Sequence, residues 1–255
     1  MTASTFSQTV SVVIPTLDEV ENIEALVEQI GMNGIPVLEI IFVDDGSKDG
    51  TCEKIRVLST EYPLRLIERE RPEFGLSGAV VAGARAARGE LLVVMDADLS
   101  HPPQNIPDLV RPIAAGAADM VIGSRYVRGG STPGWPLWRK VFSRVAAGLA
   151  YPLTRVHDSM CGFFAMRPAR LLELTPAANG FKIAFEAIVH GHGNLRVLEI
   201  PIAFRDRTRG RSKMSFGEAF LFFCRWLAAI ATIALGRTPG PRDEEKILPV
   251  SLSRK

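Results

Sequence analysis

An alternation over residues 10–125 constrains this chain most. Val10 to Pro15 (VSVVIP), Glu39 to Val43, Leu64 to Ile67, Leu91 to Met95 and Met120 to Ile122 are short apolar runs that read as strands. Between them, Glu19 to Ile30 places Ile23, Leu26, Val27 and Ile30 at helical spacing. Thr51 to Leu58 and the Gly/Ala-rich Gly75 to Ala87 read as further helices, the latter able to pack close to a sheet. Strands alternating with helices predict an α/β fold: a mostly parallel sheet with helices on both faces. Beyond Arg125 the spacing predicts a helix over Leu137 to Leu149, a strand over Phe163 to Met166, a helix over Phe181 to Val189 and a strand over Leu195 to Ile200. The chain has 255 residues, 47% of them hydrophobic, and no internal repeat or low-complexity linker in residues 10–213. One domain over residues 8–213 is the simplest division.

Polar residues mark the ends of the predicted strands. Glu19, Asp45, Asp96 with Asp98, and Ser124 with Arg125 all fall just past a strand or in the turn that follows. In open parallel α/β sheets, ligands bind in the crevice outside those ends, so four separated segments would converge on one cleft. The sharpest of them is VVMDADLSHPP, residues 93–103, where an apolar run ends in two carboxylates two positions apart. Left uncompensated, one of the pair would be driven to protonate. A divalent cation is the economical counter-charge, because hard oxygen ligands suit Mg²⁺ or Mn²⁺. The plainer reading is a solvated turn with Asp98 capping the next helix; the preceding apolar run and the second acidic strand end at Asp45 favour the metal. DDGSKDG, residues 44–50, is also a good turn and helix start, with Ser47 or Asp49 available as a cap. Both readings hold there if one aspartate faces the cleft while the others shape the turn. Glu19 could equally be a favourable first-turn charge.

Composition excludes several classes. A net charge of +2 from 30 basic and 28 acidic residues does not advertise nucleic-acid binding. Cys52, Cys161 and Cys224 are scattered and odd in number, which fits a reducing compartment and makes neither a disulfide framework nor a zinc site. The N-terminus, MTASTFSQTV, lacks the pattern of a secretory signal. No histidine–carboxylate dyad stands out.

The segments VSVVIPTLDEVENI, IIFVDDGSKDGT, GLSGAVVAG, VVMDADLSHPP, VIGSRYVRGG, DSMCGFFAM, NGFKIAFEAIV and DRTRGRSKM occur in this order over roughly residues 10–215. Together they resemble the family 2 glycosyltransferases of the GT-A fold, and within that family the polyprenyl (dolichyl) phosphate mannose synthases. The resemblance implies transfer of mannose from GDP-mannose to a polyprenyl monophosphate, with inversion, at the cytoplasmic face of a membrane and with Mg²⁺ or Mn²⁺ as cofactor. It implies that Pro15, Leu17, Glu19, Val43 and Asp45 line the nucleotide pocket and that Ala97 contacts the nucleotide through its backbone. Asp96 and Asp98 would hold the metal and donor diphosphate, with Ser100 as a third metal ligand. Arg207 and Lys213 would bind donor phosphate, Arg125 and Arg139 the acceptor phosphate, and Asp98, Arg125 and Arg207 would be the catalytic set. The chain departs from the family pattern at Leu17, at Ser100 where many bacterial relatives carry glutamine, at Glu73 and Phe74 where a basic residue is common, and at Cys161 where serine is common.

The chemistry is coherent. A polyprenyl monophosphate is already anionic and needs no strong base; the protein must hold two anionic partners together and stabilise a diphosphate leaving group. Competing readings are a UDP-sugar-dependent transferase (for example glucose), a phosphotransferase with an aspartate nucleophile, and a non-catalytic nucleotide-sugar-binding subunit. The DADLS context lacks the pattern expected of the phosphotransferase. Phe216 to Leu235 is apolar except for Glu218, Arg225 and Thr232, which share one helical face. An amphipathic membrane-interface helix over residues 214–236 fits this, following a basic loop suited to anionic lipid. Packing against the domain, or in a dimer interface, is the competing reading. Residues 237–255 read as a flexible tail. Expected partners are thus a nucleotide sugar, a polyprenyl phosphate lipid, a membrane surface and, as further classes, a membrane-anchoring protein or a second copy of the chain.

Overall fold

The computed structural model describes residues 7–176, 182–191 and 193–206. Its elements run β1 (Val10–Thr16), α1 (Val20–Gly31), β2 (Val37–Asp44), α2 (Thr51–Leu58), β3 (Leu64–Glu68), α3 (Gly75–Ala86), β4 (Leu91–Val94), α4 (Ile106–Ala114), β5 (Met120–Ser124), α5 (Leu137–Thr154), β6 (Phe164–Met166), α6 (Pro168–Leu174), α7 (Ile183–His190) and β7 (Val197–Pro201). A 3₁₀ turn at Pro103–Asn105 leads into α4. The described strands form one seven-stranded sheet in the order β3-β2-β1-β4-β6-β5-β7.

The predicted strands and helices of the first half are all present, with bounds shifted by a residue or two. β1 and β4 are buried along their whole length, as strands covered on both faces must be. Helix α3 packs as its small residues suggest: a Cβ on Gly83 would lie 2.4 Å from Val13 Cγ1 and 3.2 Å from Val43 Cγ2. Two helices carried no expectation. In α4 two prolines blur the pattern, yet Pro107 sits in the first turn, where its missing N–H costs nothing, and Pro112 forfeits one bond near the end. Helix α6 is only seven residues long and starts at Pro168. Helix α5 runs past its expected end to Thr154, through Pro152.

The sheet also holds an arrangement that periodicity does not encode. Strand β6 lies between β4 and β5 and runs antiparallel to both, whereas every other pairing is parallel. Its entry segment, Asp158–Phe163, therefore arrives at the edge where β1, β2, β4 and β5 end.

The opposite edge is locked by a buried carboxylate. Glu39, at the start of β2, accepts from Ser11 Oγ (2.7 Å), Arg65 Nη1 (2.8 Å), the Arg88 backbone N–H (2.7 Å) and Arg88 Nε (3.0 Å). Burial alone would raise its pKa; the bonds from Arg65, Arg88 and Ser11 outweigh burial and hold it below the ordinary value. Glu39→Ala removes these four bonds, while Arg65 keeps its bond to the Ala86 carbonyl, and is expected to cost about 2 kcal/mol in chemical denaturation. Because the folded-state pKa is depressed, this stabilisation is complete above the ordinary glutamate value of 4.5 and is lost as pH falls through the folded value. Stability of the Glu39→Gln variant should consequently vary less with pH below that value than wild type; parallel curves would contradict the assignment.

Candidate active site at the carboxyl edge of the sheet

The loops leaving β1 and β2 are laced together. Asp18 N–H donates to Ser47 Oγ (2.8 Å) and Lys48 N–H to Asp18 Oδ1 (2.9 Å). Glu19 N–H donates to Thr51 Oγ1 (2.9 Å) and Val20 N–H to Asp49 Oδ2 (3.1 Å). The aspartates of DDGSKDG divide their work. Asp44 shapes the turn, accepting from the Gly46 and Ser47 backbone N–H groups. Asp49 serves two helix starts, accepting from Thr51 N–H and Val20 N–H. Burial would raise Asp49, but the hydrogen bond from the Thr51 hydroxyl, with these backbone bonds, holds its carboxyl below its ordinary range. The cap position of α2 is Gly50 in the left-handed region, not Ser47 or Asp49. Asp45 pairs bidentately with Arg69, Nε to Oδ1 at 2.6 Å and Nη2 to Oδ2 at 2.7 Å. Arg69 stands just past β3 and also donates to the Glu73 and Gly75 carbonyls. The cation on this side of the cleft thus comes from β3, while positions 73 and 74 are Glu and Phe.

Of the nucleotide-pocket set, Pro15 lines an open-mouthed pocket together with Asp96, Met160, Gly162 and Lys182. Leu17 is exposed at the rim. Glu19 is the cap residue of α1, and its Oε2 accepts from Asn22 Nδ2 at 2.7 Å. Val43 is fully buried, with its side chain against Gly83 of α3, because β2 is an interior strand covered by that helix.

The acidic pair follows β4. Asp96 keeps about a third of its side chain exposed, whereas Asp98 is 3% exposed. Asp98 Oδ1 accepts from the Ser100 N–H (3.0 Å), closing a tight turn in which Leu99 takes φ +60°. Ala97 is buried beside them. The Ser100 hydroxyl is buried and finds no partner among the described residues. Such orphaned polar groups are rare. Two carboxylates and a serine oxygen form a hard-oxygen donor set of the kind that suits a divalent cation. Among the described residues, no group of three His, Cys, Asp or Glu could hold a metal on its own.

His101 anchors this turn from beneath. Its Nδ1 accepts from the Asp96 N–H (3.0 Å) and lies 3.7 Å from Asp96 Oδ2. The ring stacks on Phe163 (5.3 Å, 16°) and meets Phe204 edge-on (5.2 Å, 74°). Burial lowers the His101 pKa, against the opposing pull of Asp96 and Asp98, so the ring is neutral with its proton on Nε2. Burial likewise pushes the neighbouring Cys161 thiol up to about 12, which makes it an inert packing group. Lys182 faces the same carboxylate. Burial pulls its pKa down, Asp96 works against that, and Arg125 adds to the lowering.

On the β5 side, Arg125 is gripped by the fully buried Asp158, Nε to Oδ2 and Nη2 to Oδ1, both at 2.7 Å. Burial opposes the charge of Arg125, but Asp158 more than offsets it and raises the pKa, so Arg125 stays cationic. Asp158 is held in turn by Glu199 of β7, whose Oε1 accepts its backbone N–H (3.0 Å). The other oxygen of Glu199 accepts from the His157 N–H and lies 2.8 Å from His157 Nδ1. Two histidine–carboxylate contacts therefore exist that the sequence did not reveal; the His157 pair fixes the turn carrying Asp158, and the His101 contact fixes Asp96. Arg139, from α5, donates to Asp206 (2.8 Å) and lies over the Trp135 ring (4.0 Å). Arg125 is 5.5 Å from the same ring and 5.3 Å from that of Phe204. The structure thus brings Pro15, Asp96, Asp98, Ser100, Arg125 and Arg139 to one edge. Arg207, Lys213 and the expected helix over residues 214–236 lie outside the described residues.

Residues 11–175 match the family model described as glycosyl transferase family 2. The chain is 45% identical over 213 residues to a dolichol-phosphate mannosyltransferase of Pyrococcus furiosus, covering 80% of this chain and 59% of that one. It is 36% identical over 239 residues to the dolichol-phosphate mannosyltransferase of Saccharomyces cerevisiae, covering 89% of this chain and 88% of that one. A polyprenol monophosphomannose synthase of Mycolicibacterium smegmatis is 36% identical over 236 residues, 86% and 87% of the two chains. The fold is shared with glucosyl-3-phosphoglycerate synthase from Mycobacterium tuberculosis, solved with Mn²⁺, UDP and glucosyl-3-phosphoglycerate, at TM-score 0.66 and 21% identity over 91% of this chain and 81% of that one. The four motifs at the strand ends, the mixed sheet that gathers them and these matches make the chain a member of glycosyl transferase family 2.

Proposed function

We propose that this chain transfers mannose from GDP-mannose to a polyprenyl monophosphate, inverting the anomeric centre. The carrying observation is the pairing, along one sheet edge, of an acidic half and a cationic half. Asp96, Asp98 and the orphaned Ser100 hydroxyl form the first; Arg125 and Arg139, on a shared indole, form the second. Relatives named as mannosyltransferases acting on dolichol phosphate support the choice of substrates.

Asp96, Asp98 and Ser100 would hold Mg²⁺ or Mn²⁺, which when bound neutralises charge on the departing diphosphate. The residues themselves position and compensate. Arg125, whose Nε–Nη2 edge is held by Asp158, would offer phosphate oxygens its Nη1 side, and Arg139 the N–H groups not given to Asp206. Asp158 and Asp206 fix those guanidiniums in place. No side chain need take a proton, since the attacking phosphate oxygen is already ionised and His101 is spent on the Asp96 backbone. Catalysis is then electrostatic positioning.

A lipid acceptor calls for a membrane surface, and α5 offers one. Leu137, Trp138, Val141, Phe142, Val145 and Leu149 are all exposed and recur at helical spacing, opposite the side that buries Ala147 and Ala150. Arg144 is exposed beside Leu137 on the helix circumference, as basic residues are in helices that lie in an anionic lipid interface. Among the described residues no helix is long and apolar enough to cross a membrane.

Two experiments test this reading. Wild type given a short polyprenyl phosphate should form mannolipid from GDP-mannose; glucolipid from UDP-glucose, with no product from GDP-mannose, would contradict it. Asp98→Asn should lower turnover at least about 100-fold while the circular dichroism spectrum is kept, and wild-type turnover in that variant would exclude the metal role. For the surface, Trp138→Glu with Phe142→Glu should weaken binding to anionic vesicles several-fold; equal sedimentation with vesicles would rule out α5 as the contact.

A further inference from the structure

Trp135 lies in the loop between β5 and α5, after a turn at Gly134 (φ +81°) and before Pro136, the cap residue of α5. The loop is pinned to the β7 exit: Ser131 N–H donates to the Ile202 carbonyl (3.0 Å) and Phe204 N–H to the Ser131 carbonyl (3.0 Å). Trp135 is 6% exposed, and its ring is shared by two guanidinium groups, Arg139 at 4.0 Å and Arg125 at 5.5 Å, with Phe204 edge-on at 5.5 Å. The cation–π contacts explain why the ring is there. They leave its polar handle unexplained, because the indole Nε1–H is buried and meets no acceptor among the described residues. A buried indole N–H ordinarily has a partner.

The surroundings limit what that partner can be. Arginine side chains offer no acceptor. The neighbouring carboxylates are engaged, Asp158 with Arg125 and Asp206 with Arg139. A group that completes the indole bond and also accepts from the remaining N–H groups of the two guanidiniums must carry several acceptor oxygens. A terminal monophosphate does both. A neutral donor is well suited as the third contact, since a third cation here would add to the repulsion between the two already gathered.

We infer that the indole Nε1–H of Trp135 donates a hydrogen bond to the acceptor monophosphate held between Arg125 and Arg139. The inference rests on the acceptor reading given above. Trp135→Phe tests it, since it keeps an aromatic face beneath the guanidiniums and removes only the donor and part of the ring. The Michaelis constants for a short polyprenyl phosphate and for GDP-mannose are measured separately. The expected result is a rise of about ten-fold in the acceptor constant, the size of one lost hydrogen bond to a charged group, with the donor constant unchanged. In wild-type protein labelled with ¹⁵N, the Trp135 indole resonance, assigned by its absence from the variant, should move downfield on addition of geranyl phosphate. An unchanged acceptor constant in the variant, or an unmoved indole resonance, overturns the inference. Failure of the substrate reading looks different: wild type would then make no mannolipid at all, whereas failure at Trp135 leaves mannolipid formation equal in the two proteins.

Discussion

The site depends on the direction of β6. Held between β4 and β5 and antiparallel to both, this three-residue strand obliges Asp158–Phe163 to enter the sheet at the edge where the parallel strands leave it. Contacts to both halves of the site come with that segment. Asp158 grips Arg125, Phe163 stacks on His101, and a Cβ on Gly162 would lie 3.3 Å from Asp96 Oδ1. Were β6 parallel, its entry would lie at the opposite edge, and Arg125 would be a buried cation without its counter-charge.

The two edges of the sheet handle charge in contrasting ways. At the amino edge Glu39 is closed on itself, all its acceptor capacity filled by Ser11, Arg65 and Arg88, and it serves stability. The carboxyl edge is closed only in part. Arg69 satisfies Asp45 and Asp158 satisfies Arg125, but the Ser100 hydroxyl and the Trp135 indole are left as polar groups with no protein partner among the described residues. The first follows the acidic pair in sequence, and the second lies among the cations. Incomplete satisfaction of buried polar groups is costly for a fold and useful for a ligand, which supplies the missing atoms.

Most of the fold was legible in the sequence because buried parallel strands are short unbroken apolar runs, and their helices keep a clean 3.6-residue period. The carboxylates were legible for the same reason: position at a strand end predicts position in the cleft. Arg69 obeys that rule too, lying just past β3, and could have been found by it. Periodicity says nothing of strand direction, so the segment DSMCGFFAM does not by itself disclose the antiparallel β6 or the contacts of Asp158 and Gly162. The burial of the Val43 side chain against Gly83 is likewise a tertiary fact that spacing does not encode. Trp135, His101 and Lys182 draw their significance entirely from tertiary neighbours, which spacing does not encode.

On the proposed reading, the cleft at the carboxyl edge is divided electrostatically, and its acidic half would take the donor diphosphate through a divalent ion. The most direct test is calorimetric titration of GDP into the wild-type protein with Mn²⁺ present and again in excess EDTA. Binding that is strong with Mn²⁺ and lost in EDTA is the predicted result. Equal affinity under the two conditions would contradict the assignment of Asp96, Asp98 and Ser100 to a metal–diphosphate site.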